Sequence, residues 1–206
     1  MKRLFQKKYI IPFVLSLIVI TTLQNCERDD ICAATTSTTP RLVIEFYDID
    51  NPESLKNVPR LTVYGEGQIL NEDGQIIEPI EASDKIIEDY VNESSYVFNV
   101  NTNKIGLPLK IDDGLNNETI TTRYILEKDT NQRIDATGES NTDILEITYK
   151  TEFVYVSRAC GYKSIFTELS VTRDTDSEPW IANIEIEETI ELTVENENTT
   201  HVRIYH

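Results

Sequence analysis

Asp143-Ile144-Leu145-Glu146-Ile147-Thr148-Tyr149-Lys150-Thr151-Glu152-Phe153-Val154-Tyr155-Val156-Ser157 is the stretch on which the fold turns. Leu145, Ile147, Tyr149, Phe153 and Tyr155 fall on one side of an extended chain, while Glu146, Thr148, Lys150 and Glu152 face the other way at its centre. Successive side chains of a strand point to opposite faces, so this period of two reads as a long β-strand with one face toward a core. It ends at Arg158-Ala159-Cys160-Gly161.

The same period recurs on both sides of this stretch. Downstream, Phe166, Leu169 and Val171 follow less regularly, and residues 174–179 form a polar loop. Ile184, Ile186, Ile190, Leu192 and Val194 then share one parity and Glu185, Glu187, Glu191 and Glu195 the other; Glu188 breaks the phase, as a bulge or bend would. Residues 201–206 suit a last short strand. Upstream, Ile120, Thr122, Tyr124 and Leu126 form one strand face, and Tyr96, Phe98 and Val100 another. Pro108 places residues 105–111 at a sheet edge or bulge. Leu42, Ile44 and Phe46 begin the series, Asp48 to Pro52 interrupt it, and Leu61 and Val63 resume it. Asn71-Glu72-Asp73-Gly74 between two apolar pairs signals a hairpin turn. Residues 83–91 suit a short helix behind Ser83 or another strand. About nine strands with turn signals at short spacing predict an all-β fold, an antiparallel β-sandwich that is immunoglobulin-like in outline, with one short helix at most.

Ahead of Pro40 the alternation vanishes. Ala33 to Pro40 is small and polar, a tether. Lys2, Arg3, Lys7 and Lys8 precede an apolar run from Ile10 to Ile20, broken only by Pro12 and Ser16. That is the charged and apolar part of a secretory signal, too short to span a bilayer as a stable helix. Leu23 lies three residues before Cys26, and the arrangement resembles a bacterial lipobox, in which the cysteine is acylated and becomes the first residue. The expected organisation is a signal peptide over 1–25, a lipidated tether over 26–40 and a single sandwich domain over 41–206.

The chain carries 19 basic and 36 acidic residues. Beyond residue 25 there remain 15 basic against 36 acidic, a net charge of −21. Such a body is repelled by nucleic acid and by anionic headgroups, so membrane attachment falls to lipid chains. With Cys26 acylated, Cys32 and Cys160 are an even pair in an oxidising compartment. A bond between them would close a long loop, for which chain entropy allows roughly 4–5 kcal/mol. The other reading is two free thiols.

Cys26-Glu27-Arg28-Asp29-Asp30-Ile31-Cys32, Thr39 to Asp48, Ile105-Gly106-Leu107-Pro108-Leu109 and Ala159-Cys160-Gly161-Tyr162-Lys163 resemble a family of uncharacterised flavobacterial lipoproteins defined as a domain of unknown function. The resemblance implies a cell-envelope location and a paired Cys32 and Cys160, and it implies no activity. Such lipoproteins also use acidic residues just after the acylated cysteine, commonly behind a lysine, as a signal for surface display. Glu27, Arg28, Asp29 and Asp30 look like that signal with Arg in place of Lys.

Catalytic patterns are thin. His201 and His206 are the only histidines, and both stand in a terminal segment that would ordinarily fray. No pair of carboxylates is singled out among the 36 acidic residues, so no catalytic residue is assigned and no enzyme is expected. Asp48 to Glu53 and Asp174 to Glu178 space oxygen ligands as calcium sites do, although neither contains the glycine of an EF-hand loop. Polar loops look the same, so calcium is the one cofactor worth testing and no metal ligands are assigned. Trp180 and Tyr162 are candidates for an exposed aromatic platform, with Trp180 as a core plug the plainer reading. The leading expectation is a non-enzymatic lipoprotein, anchored in the outer membrane and facing the cell surface, that binds or supports another envelope component such as an outer-membrane protein. The alternative is a surface glycan- or nutrient-binding lipoprotein.

Overall fold

The computed structural model describes residues 32, 39–67, 69–71, 73–81, 97–112, 118–175, 177–188 and 192–206. By its internal contacts the chain divides into a larger unit, Ser37–Tyr155 with Tyr162–His206, and a smaller one, Met1–Thr36 with Val156–Gly161.

The described residues of the larger unit form two β-sheets. The first contains β1 (Leu42–Asp48), β2 (Asn51–Leu55), β5 (Lys104–Leu107), β9 (Asn183–Ile186) and β10 (Val202–Tyr205). Its order is β2-β1-β10-β9, with β5 also paired to β1. The second runs β4-β3-β6-β7-β8, from β3 (Val58–Gly65), β4 (Val97–Thr102), β6 (Ile120–Lys128), β7 (Asn141–Ser157) and β8 (Gly161–Arg173). One short helix, α1 (Thr130–Ile134), follows β6. The inward residues Leu42, Ile44, Phe46, Val202 and Ile204 of the first sheet join Leu61, Val63, Leu126, Leu145, Ile147 and Tyr149 of the second in one buried core. This is the expected all-β sandwich.

One feature departs from a wholly antiparallel fold. β10 lies beside β1 in parallel, pairing Ile44 with Val202 and Phe46 with Ile204. The last residues therefore occupy the middle of a sheet instead of fraying. His201 is 1% exposed; its Nδ1 accepts from the Val43 amide at 2.8 Å, and its own amide donates to the Val43 carbonyl at 2.9 Å. His206 packs edge-on against Trp180 and Phe46.

Several local departures have simple causes. β8 is continuous from 161 to 173, but Glu168 has a left-handed backbone at φ 54°, which shifts the inward parity from Phe166 to Leu169 and Val171. A strand restarts at Asn51 despite Pro52, because β2 is an exposed edge strand where a missing N–H costs no ladder bond. The expected turn near Asn71 is present, closed by a Leu70–Ile76 bridge with Gly74 at φ 75°. The candidate helix over residues 83–91 lies outside the described residues.

Burial lowers the His201 pKa below its ordinary 6.5, because the charged imidazole is poorly solvated there. Glu197 opposes the shift and Lys104 adds to it. The neutral ring is the form that accepts from Val43, so protonation opposes the folded state. The unfolded chain takes up protons first as pH falls below 6.5, and stability drops from there downward. His206, also lowered by burial, acts with the same sign. The denaturation midpoint is expected to fall between about pH 7 and about pH 5.5, with a shallower fall for His201→Gln. A flat midpoint across that window would contradict this assignment.

Candidate functional site: the disulfide-closed hairpin

β7 is unusually long, and its two halves meet different surroundings. β6 pairs with it from Asn141 to Tyr149, and there the pairing stops. The rest of β7 continues with β8 as its neighbour. Up to Thr151 the alternating side chains are buried; Tyr149 is fully covered, edge-on to Phe166 at 5.2 Å, and its hydroxyl donates to the Lys110 carbonyl at 3.0 Å. Beyond Thr151 the cover ends. Phe153 is 45% exposed, Val154 39% and Tyr155 55%.

The sequence reading put Phe153 and Tyr155 on the same face as Leu145, and that face is continuous. Among the described residues its first half is covered, and from Phe153 onward it is exposed. The sequence changes character there: Phe153-Val154-Tyr155-Val156 is apolar at both parities, unlike the strict alternation before it. Such a run ordinarily buries both faces of a strand, whereas here Phe153, Val154, Tyr155 and Val156 are each more than a third exposed.

Three residues, Arg158 to Cys160, connect β7 to β8, and Gly161 follows at φ 69°. A three-residue loop followed by a left-handed glycine is a common hairpin closure. The Ser157 hydroxyl accepts from the Cys160 amide at 3.1 Å. Cys160 is bonded to Cys32, with 4.8 Å between their Cα atoms and a sequence separation of 128. Across the strands, Tyr155 meets Tyr162 edge-on at 5.5 Å, and Tyr162 is 64% exposed. Arg158 is exposed, and Lys163 donates to the Glu195 carbonyl at 3.3 Å.

Trp180 does not belong to this surface. It is 8% exposed, its Nε1 donates to the Leu126 carbonyl at 3.2 Å, and it packs on Phe46 and His206. The aromatic platform is thus corrected at Trp180, a core plug held by its indole N–H, while Tyr162 remains available. The possible calcium loops are tied up internally. Asp48 accepts from Lys56 Nζ, and Asp174 accepts from an Arg123 guanidinium nitrogen; these cations hold both carboxyls below the usual carboxylate range. Asp176 lies outside the described residues, and among those described no cluster of three His, Cys, Asp or Glu side chains is arranged to hold a metal. A shallow recess beside α1 is lined by Arg133, Thr137, Gly138, Glu139 and Ser140, and its arginine is committed to Glu127. Cys26, Glu27, Arg28, Asp29 and Asp30, with residues 1–25, lie outside the described residues.

No curated protein and no solved structure matches the chain. One family model, described as a family of unknown function (DUF6452), matches residues 80–206, from before β4 through β10 and including the hairpin and Cys160. The chain belongs to that family, DUF6452.

Proposed function

We propose that this protein is a lipid-anchored component of the cell envelope, acylated at Cys26, whose sandwich binds or supports another envelope component without catalysing a reaction. The observation that carries this reading is the cysteine count. Two of three cysteines form the Cys32–Cys160 disulfide, a bond suited to an exported protein, and the third stands where the apolar run of the signal ends. The resemblance to flavobacterial lipoproteins supports the same reading, and so does an acidic body that needs lipid chains to stay at a membrane. Glu27, Arg28, Asp29 and Asp30 favour display on the outer surface, since the tether from Cys32 to Pro40 adds no further charge to blur the cluster. The glycan-binding alternative is weaker with Trp180 in the core.

The test is a Cys26→Ser variant expressed beside the wild type in a lipoprotein-processing bacterium of the flavobacterial kind. The wild type is expected to take up a fatty-acid label and sediment with membranes, and the variant to do neither. Full membrane retention of an unlabelled variant would contradict the proposal.

A further inference from the structure

We infer that the β7–β8 hairpin end is a membrane-contacting element, resting Tyr155, Tyr162 and Phe153 in the lipid interface beside the anchor. The inference rests on acylation of Cys26 and adds to it a defined surface and a defined occupant.

The first argument is length of chain. Cys32 is six positions on from Cys26, and a fully extended chain covers at most ~3.6 Å per residue, so Cys32 lies within about 22 Å of the acylated residue. Cys32 is bonded to Cys160, two residues from Tyr162. Without that bond the leash would run from Cys26 to the first strand, sixteen residues away at Leu42. The disulfide therefore shortens the leash and selects one hairpin end as the part kept at high effective concentration next to the bilayer.

The second argument is chemistry. Phe153, Val154, Tyr155, Val156 and Tyr162 are all more than a third exposed and belong to one hairpin end, with three aromatic rings among them. The other exposed apolar side chains, Leu55 and Val100 on other strands and Leu70, Ile76 and Ile80 around the Asn71 turn among them, are aliphatic. Tyrosine, with an apolar ring and a polar tip, favours the headgroup level of a bilayer. Charge agrees. From Glu152 to Lys163 the only charged residues are Glu152, Arg158 and Lys163, a net of +1 in a body whose net charge is −21. This hairpin end thus escapes the repulsion that keeps the acidic body away from anionic headgroups. The contact orients the body more than it binds it, because the acyl chains already hold the protein. Either face of the outer membrane offers the same interface, so the inference does not depend on surface display.

The experiment uses full-length acylated protein carrying Tyr162→Trp, reconstituted in phosphatidylethanolamine–phosphatidylglycerol vesicles whose acyl chains are brominated near the headgroup. Wild-type emission comes from buried Trp180 and supplies the background. The emission added by Tyr162→Trp is expected to lose more than half its intensity in brominated vesicles, with wild-type emission nearly unchanged. Adding Cys32→Ser and Cys160→Ser is expected to restore most of it while the protein still floats with the vesicles. Unchanged Trp180 emission checks that each variant is folded. A floating protein whose added emission ignores bromine would overturn the hairpin contact and leave the anchor standing. Added emission that ignores bromine while position 162 crosslinks to a second copy or another protein would overturn it in favour of a protein partner. Failure to float would overturn the acylation beneath it.

Discussion

Replacing Asp143 by Ala is expected to destabilise the fold by about 3–5 kcal/mol. Asp143 is fully buried, in phase with Leu145 and Ile147 on the core face of β7. Its Oδ2 accepts from the amides of Trp180 at 2.9 Å and Ile181 at 2.7 Å, and its Oδ1 faces an Arg173 guanidinium nitrogen at 3.4 Å. Alanine strands two buried amide donors and takes the carboxylate from beside the arginine, and each unsatisfied buried group costs ~1–3 kcal/mol. These amides also fix the chain entering β9, so Trp180 loses its seat against Phe46 and His206. Asp143→Asn keeps one oxygen able to accept both amides and is expected to cost less than the alanine. Denaturant midpoints of the three proteins decide the matter. Equal losses for Asn and Ala would show that the charge, and not the amide clamp, is what matters.

The second large effect lies at Arg133. Its Nε and one terminal nitrogen donate to the Glu127 carboxylate at 2.6 and 2.8 Å, and the Ser140 hydroxyl donates to the same group at 2.6 Å. Glu127 is 1% exposed, whereas Arg133 retains 21% side-chain exposure. Arg133→Met leaves a buried carboxylate without its cation, and one-sided removal of such a partner costs about 3–5 kcal/mol, with the lower end fitting a half-open site. Arg133→Met combined with Glu127→Leu is expected to lose less than Arg133→Met alone, since no charge is then stranded. A double variant that unfolds at least as readily as the single one would assign the loss to packing of α1.

These two carboxylates show how far the sequence could be read. With 36 acidic residues, alternation marks most of them as solvated, and that was right for Glu146 and Glu152. Asp143 was legible in principle, because it shares the parity of Leu145. Glu127 was not: it sits on the outer face of β6, and what covers it is a helix of five residues too short to leave a periodic signature. The same limit applies to the strands. β1, β6 and the first half of β7 announced themselves by period, whereas the parallel pairing of β1 with β10 depends on contacts some 158 residues apart, such as His201 with Val43. Trp180 could plug a core or crown a surface until its neighbours were known. At the candidate site the cysteines were legible by count, and the exposure of Phe153 and Tyr155 was not, because it follows from where β6 stops. Membership of the family adds location of the match along the chain and no chemistry, so the functional reading stands on the cysteines and on the hairpin.

The claim that Cys26 is acylated while Cys32 and Cys160 are paired is tested most directly by intact mass spectrometry. The protein would be extracted in detergent from its own membranes and weighed before and after reduction. The expected result is a chain that begins at Cys26, carries the mass of its acyl chains and gains the mass of one pair of hydrogens on reduction. A chain that carries no lipid, or one whose reduction releases a Cys26–Cys32 bond, would contradict the account.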